Sequence, residues 1–246
     1  MNKKLTLQLT VTFFIAGLLL IGSCKKDVTP ININYAYSYY PVDTGHYVIY
    51  NVDSILYSYN GIYTRDTVHY QWKELIADTF YDNQNRINYR LECYRRPDST
   101  YPWNINRVWY AVRNTYNLQV QEDDIRFVKL IFPPQLNATW NGNEYVPITN
   151  NSSDPYSIYQ NWNYFYENID TTYSLNGNVI NNAIVVSEVD EENKINKTLR
   201  TESYAPGIGM IYQKLEVLNK QNVLNNFPQG TENGFSIEMK LWAHYP

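Results

Sequence analysis

From Tyr47 to Tyr245 the chain is a succession of short runs in which apolar and polar residues alternate, separated by turn residues. The cleanest is the last. There Phe235, Ile237, Met239, Leu241 and Ala243 alternate with Ser236, Glu238, Lys240, Trp242 and His244, the period of a half-buried strand. Tyr47 to Tyr59 is rich in β-branched and aromatic residues and stops at Asn60-Gly61, after which the pattern resumes from Ile62 to Phe80. Asn-Gly between two such runs is a strong hairpin signal. It recurs at Asn141-Gly142 and Asn176-Gly177. Further strands are predicted at Tyr89–Arg95, Arg107–Arg113, Leu118–Gln121, Ile125–Phe132, Ala183–Val189, Lys197–Tyr204 and Met210–Leu218. Amphipathic helical windows are scarce, and Asp154–Ile169 is the one stretch that suits a short helix or turn. The expectation is an all-β or β-dominated domain: one curved antiparallel sheet, as a half-barrel or a sandwich, with at most short helices.

The first 23 residues do not belong to this pattern. Lys3 and Lys4 precede an uncharged, mostly apolar run from Leu9 to Leu20, then Gly22 and Ser23 before Cys24, which are the three parts of an export signal. The run is short for a bilayer span, which takes about 20 residues. Ile21-Gly22-Ser23-Cys24 resembles the lipobox of bacterial lipoproteins. That resemblance implies cleavage before Cys24, diacylglycerol and a further acyl chain such as palmitate on Cys24, and a membrane as partner through the lipid anchor. The expected organisation is a cleaved signal peptide (1–23), a lipidated N-terminus and tether (24–40) and a single β-rich domain (41–246).

Composition narrows the chemistry. Removing the signal peptide leaves 223 residues with a formal charge of −6, a poor match to the nucleic-acid backbone. With Cys24 lipidated, Cys93 has no disulfide partner and reads as a buried structural thiol on the strand face of Tyr89 and Leu91. His46, His69 and His244 are scattered and form no metal-binding spacing. There is no Gly-x-Ser-x-Gly elbow. Glu122-Asp123-Asp124 and Asp190-Glu191-Glu192 read as solvated turns, and the Asp-x-Asp-x-Asp-Gly calcium spacing is absent. No cofactor, metal or catalytic residue is assigned.

Two segments carry a wider resemblance. Tyr39-Tyr40-Pro41-Val42-Asp43-Thr44-Gly45-His46-Tyr47 is similar to a Tyr-Tyr-Pro opening. Tyr204-Ala205-Pro206-Gly207-Ile208-Gly209-Met210-Ile211 is similar to an Ala-Pro-Gly-Val-Gly segment. The two occur together in uncharacterised lipoproteins of the Bacteroidota, which the Ser-Cys-Lys-Lys-Asp start also resembles. The resemblance implies location at the outer membrane, facing periplasm or surface, and a β fold, with no activity attached. Physically, Pro206, Gly207 and Gly209 fit a tight turn whose backbone approaches a neighbour. Asp98-Ser99-Thr100, between Pro97 and Pro102, resembles the Asp-Ser/Thr-apolar glycosylation sequon of the same phylum.

The remaining signal is aromatic. Tyr alone occurs 25 times, and Tyr156, Tyr159, Trp162, Tyr164, Phe165 and Tyr166 crowd into eleven residues. Flat aromatic faces bind sugars and proteins, but mostly they fill cores. Trp103, Trp162, Tyr159 and Tyr101 are the candidate ligand-binding residues. Trp103 and Trp162 are expected to be more exposed than Trp109 and Trp242. These features favour a non-catalytic binding or accessory lipoprotein holding a glycan, a peptide or an envelope protein. The alternatives are a lipid- or lipoprotein-handling half-barrel, marked by an apolar concave face, and a carboxylate-dependent hydrolase.

Overall fold

In the computed structural model, residues 34, 36–149, 154–175, 177–221 and 226–245 are described. The predicted signal peptide, Cys24 and most of the predicted tether lie outside the described residues. Twelve strands follow in order: β1 (Tyr47–Tyr59), β2 (Tyr63–Tyr81), β3 (Ile87–Arg96), β4 (Asn104–Arg113), β5 (Asn117–Glu122), β6 (Ile125–Ile131), β7 (Thr139–Trp140), β8 (Tyr164–Leu175), β9 (Asn178–Glu192), β10 (Asn196–Ala205), β11 (Gly209–Asn219) and β12 (Asn233–Tyr245). They form one antiparallel sheet in the order β6-β5-β4-β3-β2-β1-β12-β11-β10-β9-β8-β7. Each half of the chain is a six-stranded meander, and the pairing of β1 with β12 welds the halves together.

The sheet rolls into a nearly closed barrel. Register shifts at Ile49/Tyr50, Ile76/Asp78 and Cys93/Tyr94 insert bulges, which bend strands and sharpen their twist. Curling brings the free edges β6 and β7 together. The Val128 N–H donates to the Gly142 carbonyl (2.8 Å), and the Trp140 indole donates to the Val128 carbonyl (2.7 Å). Across the same seam the Tyr166 hydroxyl accepts from the Ile131 N–H (3.0 Å) and donates to its carbonyl (2.5 Å). Closing a sheet this way satisfies the edge groups that would otherwise template aggregation.

The all-β expectation therefore holds, with the sheet closed further than a half-barrel and not split into a sandwich. The ten sequence-predicted runs all become strands, β1 with the same bounds. Two strands were not foreseen, β7 and β8. The stretch Asp154–Ile169 holds only a 3-10 turn at Ser157–Tyr159 before β8 begins at Tyr164. Asn141-Gly142 is not a hairpin turn. Gly142 sits where the seam closes, and a Cβ there would lie 2.3 Å from the Tyr164 ring. The glycine is required by close approach, not by turn geometry.

One barrel end is stoppered by the two segments singled out above. Tyr37–Tyr39 form a 3-10 turn that packs on the core, and Tyr39 is buried, so this part of the predicted tether belongs to the domain. The Gly207 N–H donates to the Ser38 carbonyl (2.7 Å), in a turn where Gly207 takes φ +76°. The His46 Nε2 bonds the Ile208 carbonyl (2.9 Å), and the Tyr50 hydroxyl donates to the Met210 carbonyl (3.1 Å). Arg113 donates to the carbonyls of Tyr37 and Tyr40. The Tyr-Tyr-Pro and Ala-Pro-Gly-Ile-Gly segments are thus two halves of one plug.

Candidate functional site

Inside the barrel, on the side away from the plug, lies a cavity of about 320 Å³. Small-molecule sites start near this size. Its walls come from both halves of the chain. Tyr70, Trp72 and Glu74 of β2 face it, with Arg95 of β3, Arg107 and Trp109 of β4, and Gln213 and Leu215 of β11. Tyr40, the residue before the plug proline, closes the inner end. A further void of about 30 Å³ lies beyond Tyr40 and Glu74, against Pro41 and Ile208.

The wall nearest the seam carries a buried charge cluster. Lys129 Nζ lies 2.8 Å from Glu122 Oε1, 2.8 Å from Glu202 Oε1 and 3.7 Å from Glu188 Oε1. Arg200 reaches Glu202 Oε1 (3.0 Å), Glu188 Oε2 (3.1 Å) and Glu122 Oε1 (3.6 Å). The Tyr204 hydroxyl donates to Glu202 Oε2 (2.5 Å). Burial and Arg200 push Lys129 toward neutrality, but the three glutamates outweigh them and raise its pKa. Burial works to raise Glu202, yet Lys129 and Arg200 prevail and hold it below the usual carboxylate range. Glu188 goes the other way: burial raises it despite Arg200. Neither of its oxygens has a hydrogen-bond partner, because the Arg200 N–H is close but not aimed along the contact.

Two groups on the cavity walls stand outside this cluster. Glu74 forms no ion pair among the described residues; its Oε1 accepts from the Trp72 indole (3.0 Å). Burial raises its pKa to about 7, with the carboxylates of Glu122 and Glu202 adding to the effect. Arg95 likewise has no carboxylate within ion-pair distance, and its guanidinium lies 3.9 Å from the centre of the Tyr70 ring. Arg107, by contrast, is paired with Asp123, which also accepts from the Trp109 indole (3.2 Å). The Glu122-Asp123-Asp124 segment is therefore not a purely solvated turn: Glu122 turns inward to Lys129 and Asp123 braces the mouth.

Of the four sequence-predicted ligand residues, only Tyr159 lines this cavity, edge-on to Phe127 at 5.3 Å. Trp162 is a correction: it is 7% exposed and packs edge-on against Tyr159 at 5.0 Å in the core. Its polar neighbours Asn161 and Asn163 misled, since Asn161 adopts φ +64° and turns the chain inward there. Tyr101 is 54% exposed in its loop, and Trp103 is half-buried against Arg96 (4.0 Å) and Lys73 (5.2 Å); neither is among the cavity walls. Trp242 is the second correction: it is 50% exposed, with no layer over it. Trp109, read as structural, faces the cavity with its ring 5.7 Å from that of Trp72 and tilted to it at 44°.

Cys93 is fully buried, and burial raises its pKa far above the usual thiol value, with Glu74 and Glu122 adding to the shift. His69 is exposed and bonds Asp53 (2.6 Å). Among the described residues, no group of three or more His, Cys, Asp or Glu is disposed to hold a metal ion. No protein-family model and no curated protein sequence matches this chain.

Proposed function

We propose that this protein is a lipid-anchored lipoprotein of the cell envelope that binds a small polar ligand in its barrel lumen without transforming it. The anchor rests on Cys24 and the export signal before it. The observation that carries the binding reading is the cavity itself. It is walled by Trp72, Trp109 and Tyr70, and it holds two polar groups, Glu74 and Arg95, that no ion-pair partner among the described residues occupies. A ligand that pairs with such groups recovers energy that the empty lumen forgoes. The lipid-handling alternative calls for an apolar concave face, and a wall carrying Lys129, Arg200, Glu122 and Glu202 suits it poorly. The hydrolase alternative draws support from Glu74, whose pKa of about 7 suits a proton donor.

The test uses the full lipidated chain in detergent. Thermal shifts are measured against a panel of sugars, amino acids and nucleosides, beside a Leu215→Trp variant that fills the mouth. A ligand that stabilises the protein and loses its effect in the variant supports luminal binding. Stabilisation that survives Leu215→Trp refutes it. Chemical turnover of a ligand abolished by Glu74→Gln would favour the hydrolase. Membrane fractionation of Cys24→Ala tests the anchor: the variant is expected in the soluble fraction, and pelleting with membranes would refute it.

A further inference from the structure

We infer that the luminal ligand is an acidic carbohydrate, a uronic-acid mono- or disaccharide whose ring lies on the Trp72–Trp109 wall and whose carboxylate meets Arg95. This rests on the luminal-binding reading and adds the ligand's chemistry to it. Three features of the cavity combine to select that class.

The first is the aromatic wall. The Trp72 and Trp109 rings lie 5.7 Å apart at 44°, and both are held in place by their indole N–H groups, on Glu74 (3.0 Å) and Asp123 (3.2 Å). Fixed, flat apolar faces of this kind suit the C–H face of a pyranose and cost little entropy on binding. The second is the neutral polar lining. Asn106 and Gln213 offer amides at the mouth, and among the described residues the Glu74 carboxyl accepts from one donor, the Trp72 indole. Groups that both donate and accept suit hydroxyls. The third is the charge. Four cations line the cavity, but Lys129, Arg200 and Arg107 are each neutralised by glutamates or Asp123. Arg95 alone is free of a carboxylate, and Tyr70 supports its guanidinium from one face (3.9 Å). One free planar fork matches one carboxylate bidentately. A nucleotide, with its several phosphate charges, asks for more cations than this mouth leaves unpaired. An amino acid asks for a lasting anion to meet its ammonium. Glu74 is the only carboxylate on the walls without an ion-pair partner, and it is half-protonated near neutrality.

The orientation follows. The two cations of the buried cluster are already met by Glu122, Glu188 and Glu202, so the inner wall offers an anion no free partner. The ligand's carboxylate stays at the mouth with Arg95, and its hydroxyls point inward to Glu74.

The experiment titrates the full chain in detergent by calorimetry and tryptophan fluorescence. The probes are galacturonate, mannuronate and glucuronate disaccharides, each beside its neutral counterpart. At least one uronate is expected to bind about tenfold tighter than its neutral partner, the effect of one charge-assisted contact. Arg95→Gln should erase that preference, bringing each uronate to the affinity of its neutral partner; Arg95 is exposed, so the variant keeps its β circular dichroism spectrum. The preference should shrink as salt rises. Equal affinity for both members of every pair, or a preference that survives Arg95→Gln, overturns the acidic assignment and leaves luminal binding standing. Absence of binding by every sugar overturns the carbohydrate assignment. The luminal reading falls separately, on the Leu215→Trp result.

Discussion

Replacing Lys129 with Met tests whether the buried cluster is a unit of the fold. Lys129 is 3% exposed and meets two carboxylate oxygens at 2.8 Å and a third at 3.7 Å. At an effective dielectric of about 20, each of the shorter contacts is worth about 6 kcal/mol of gross attraction. Dehydrating the ammonium offsets much of that, and the measurable loss for removing one partner of a buried cluster is about 3–5 kcal/mol. Met fills a similar volume, so the loss is electrostatic and not a cavity. Its pH dependence identifies it as such. Without Lys129, burial is less opposed, and the carboxylates of Glu202 and Glu188 both move up. A carboxylate raised in the folded state contributes stability below its unfolded pKa and loses it as pH rises through the folded one. The deficit of Lys129→Met should therefore be largest at pH 7 and above, and less than half as large at pH 5. Urea denaturation followed by tryptophan fluorescence at the two pH values reads both quantities. A loss under about 1 kcal/mol at pH 7, or an equal loss at pH 5, would refute the reasoning.

Three further outcomes are expected. Glu74, raised from 4.5 to about 7, contributes stability below pH 4.5 that is lost between pH 4.5 and 7, up to about 3 kcal/mol; Glu74→Gln should flatten the wild-type decline in urea midpoint over that interval. Gly142→Ala should cost about 2–3 kcal/mol by equilibrium denaturation, because a Cβ 2.3 Å from the fully buried Tyr164 ring forces strain at the seam. Cys93 should stay unreactive toward a thiol reagent at pH 8 until denaturant unfolds the chain; rapid labelling of the native protein would contradict its burial.

Much of the barrel was legible in the sequence because strand formation is local. Period-two alternation, β-branched and aromatic runs and Asn60-Gly61 mark β1 and β2 almost to the residue, since backbone geometry places alternate side chains on opposite faces whatever else the chain does. β8 escaped because Tyr164, Phe165 and Tyr166 are consecutive aromatics, with no alternation to separate strand from helix. The Ala-Pro-Gly-Ile-Gly half of the plug was legible as a turn. That the two halves meet each other, through Gly207 and Ser38, was not.

The cavity was settled only by tertiary structure. Glu74, Lys129 and Arg200 come from β2, β6 and β10, strands that face one another only when the sheet curls and its edges meet at Val128 and Gly142. Locally these residues look unremarkable or misplaced. Lys129 interrupts the apolar run Phe127-Val128-Lys129-Leu130, and on β10 Arg200, Glu202 and Tyr204 alternate with Thr201 and Ser203, so both faces read as polar. Hydrophobic pattern separates inside from outside only where the inside is apolar. Here one wall of the lumen is ionic, and a buried charge is stabilised by partners distant in sequence, which no local window contains.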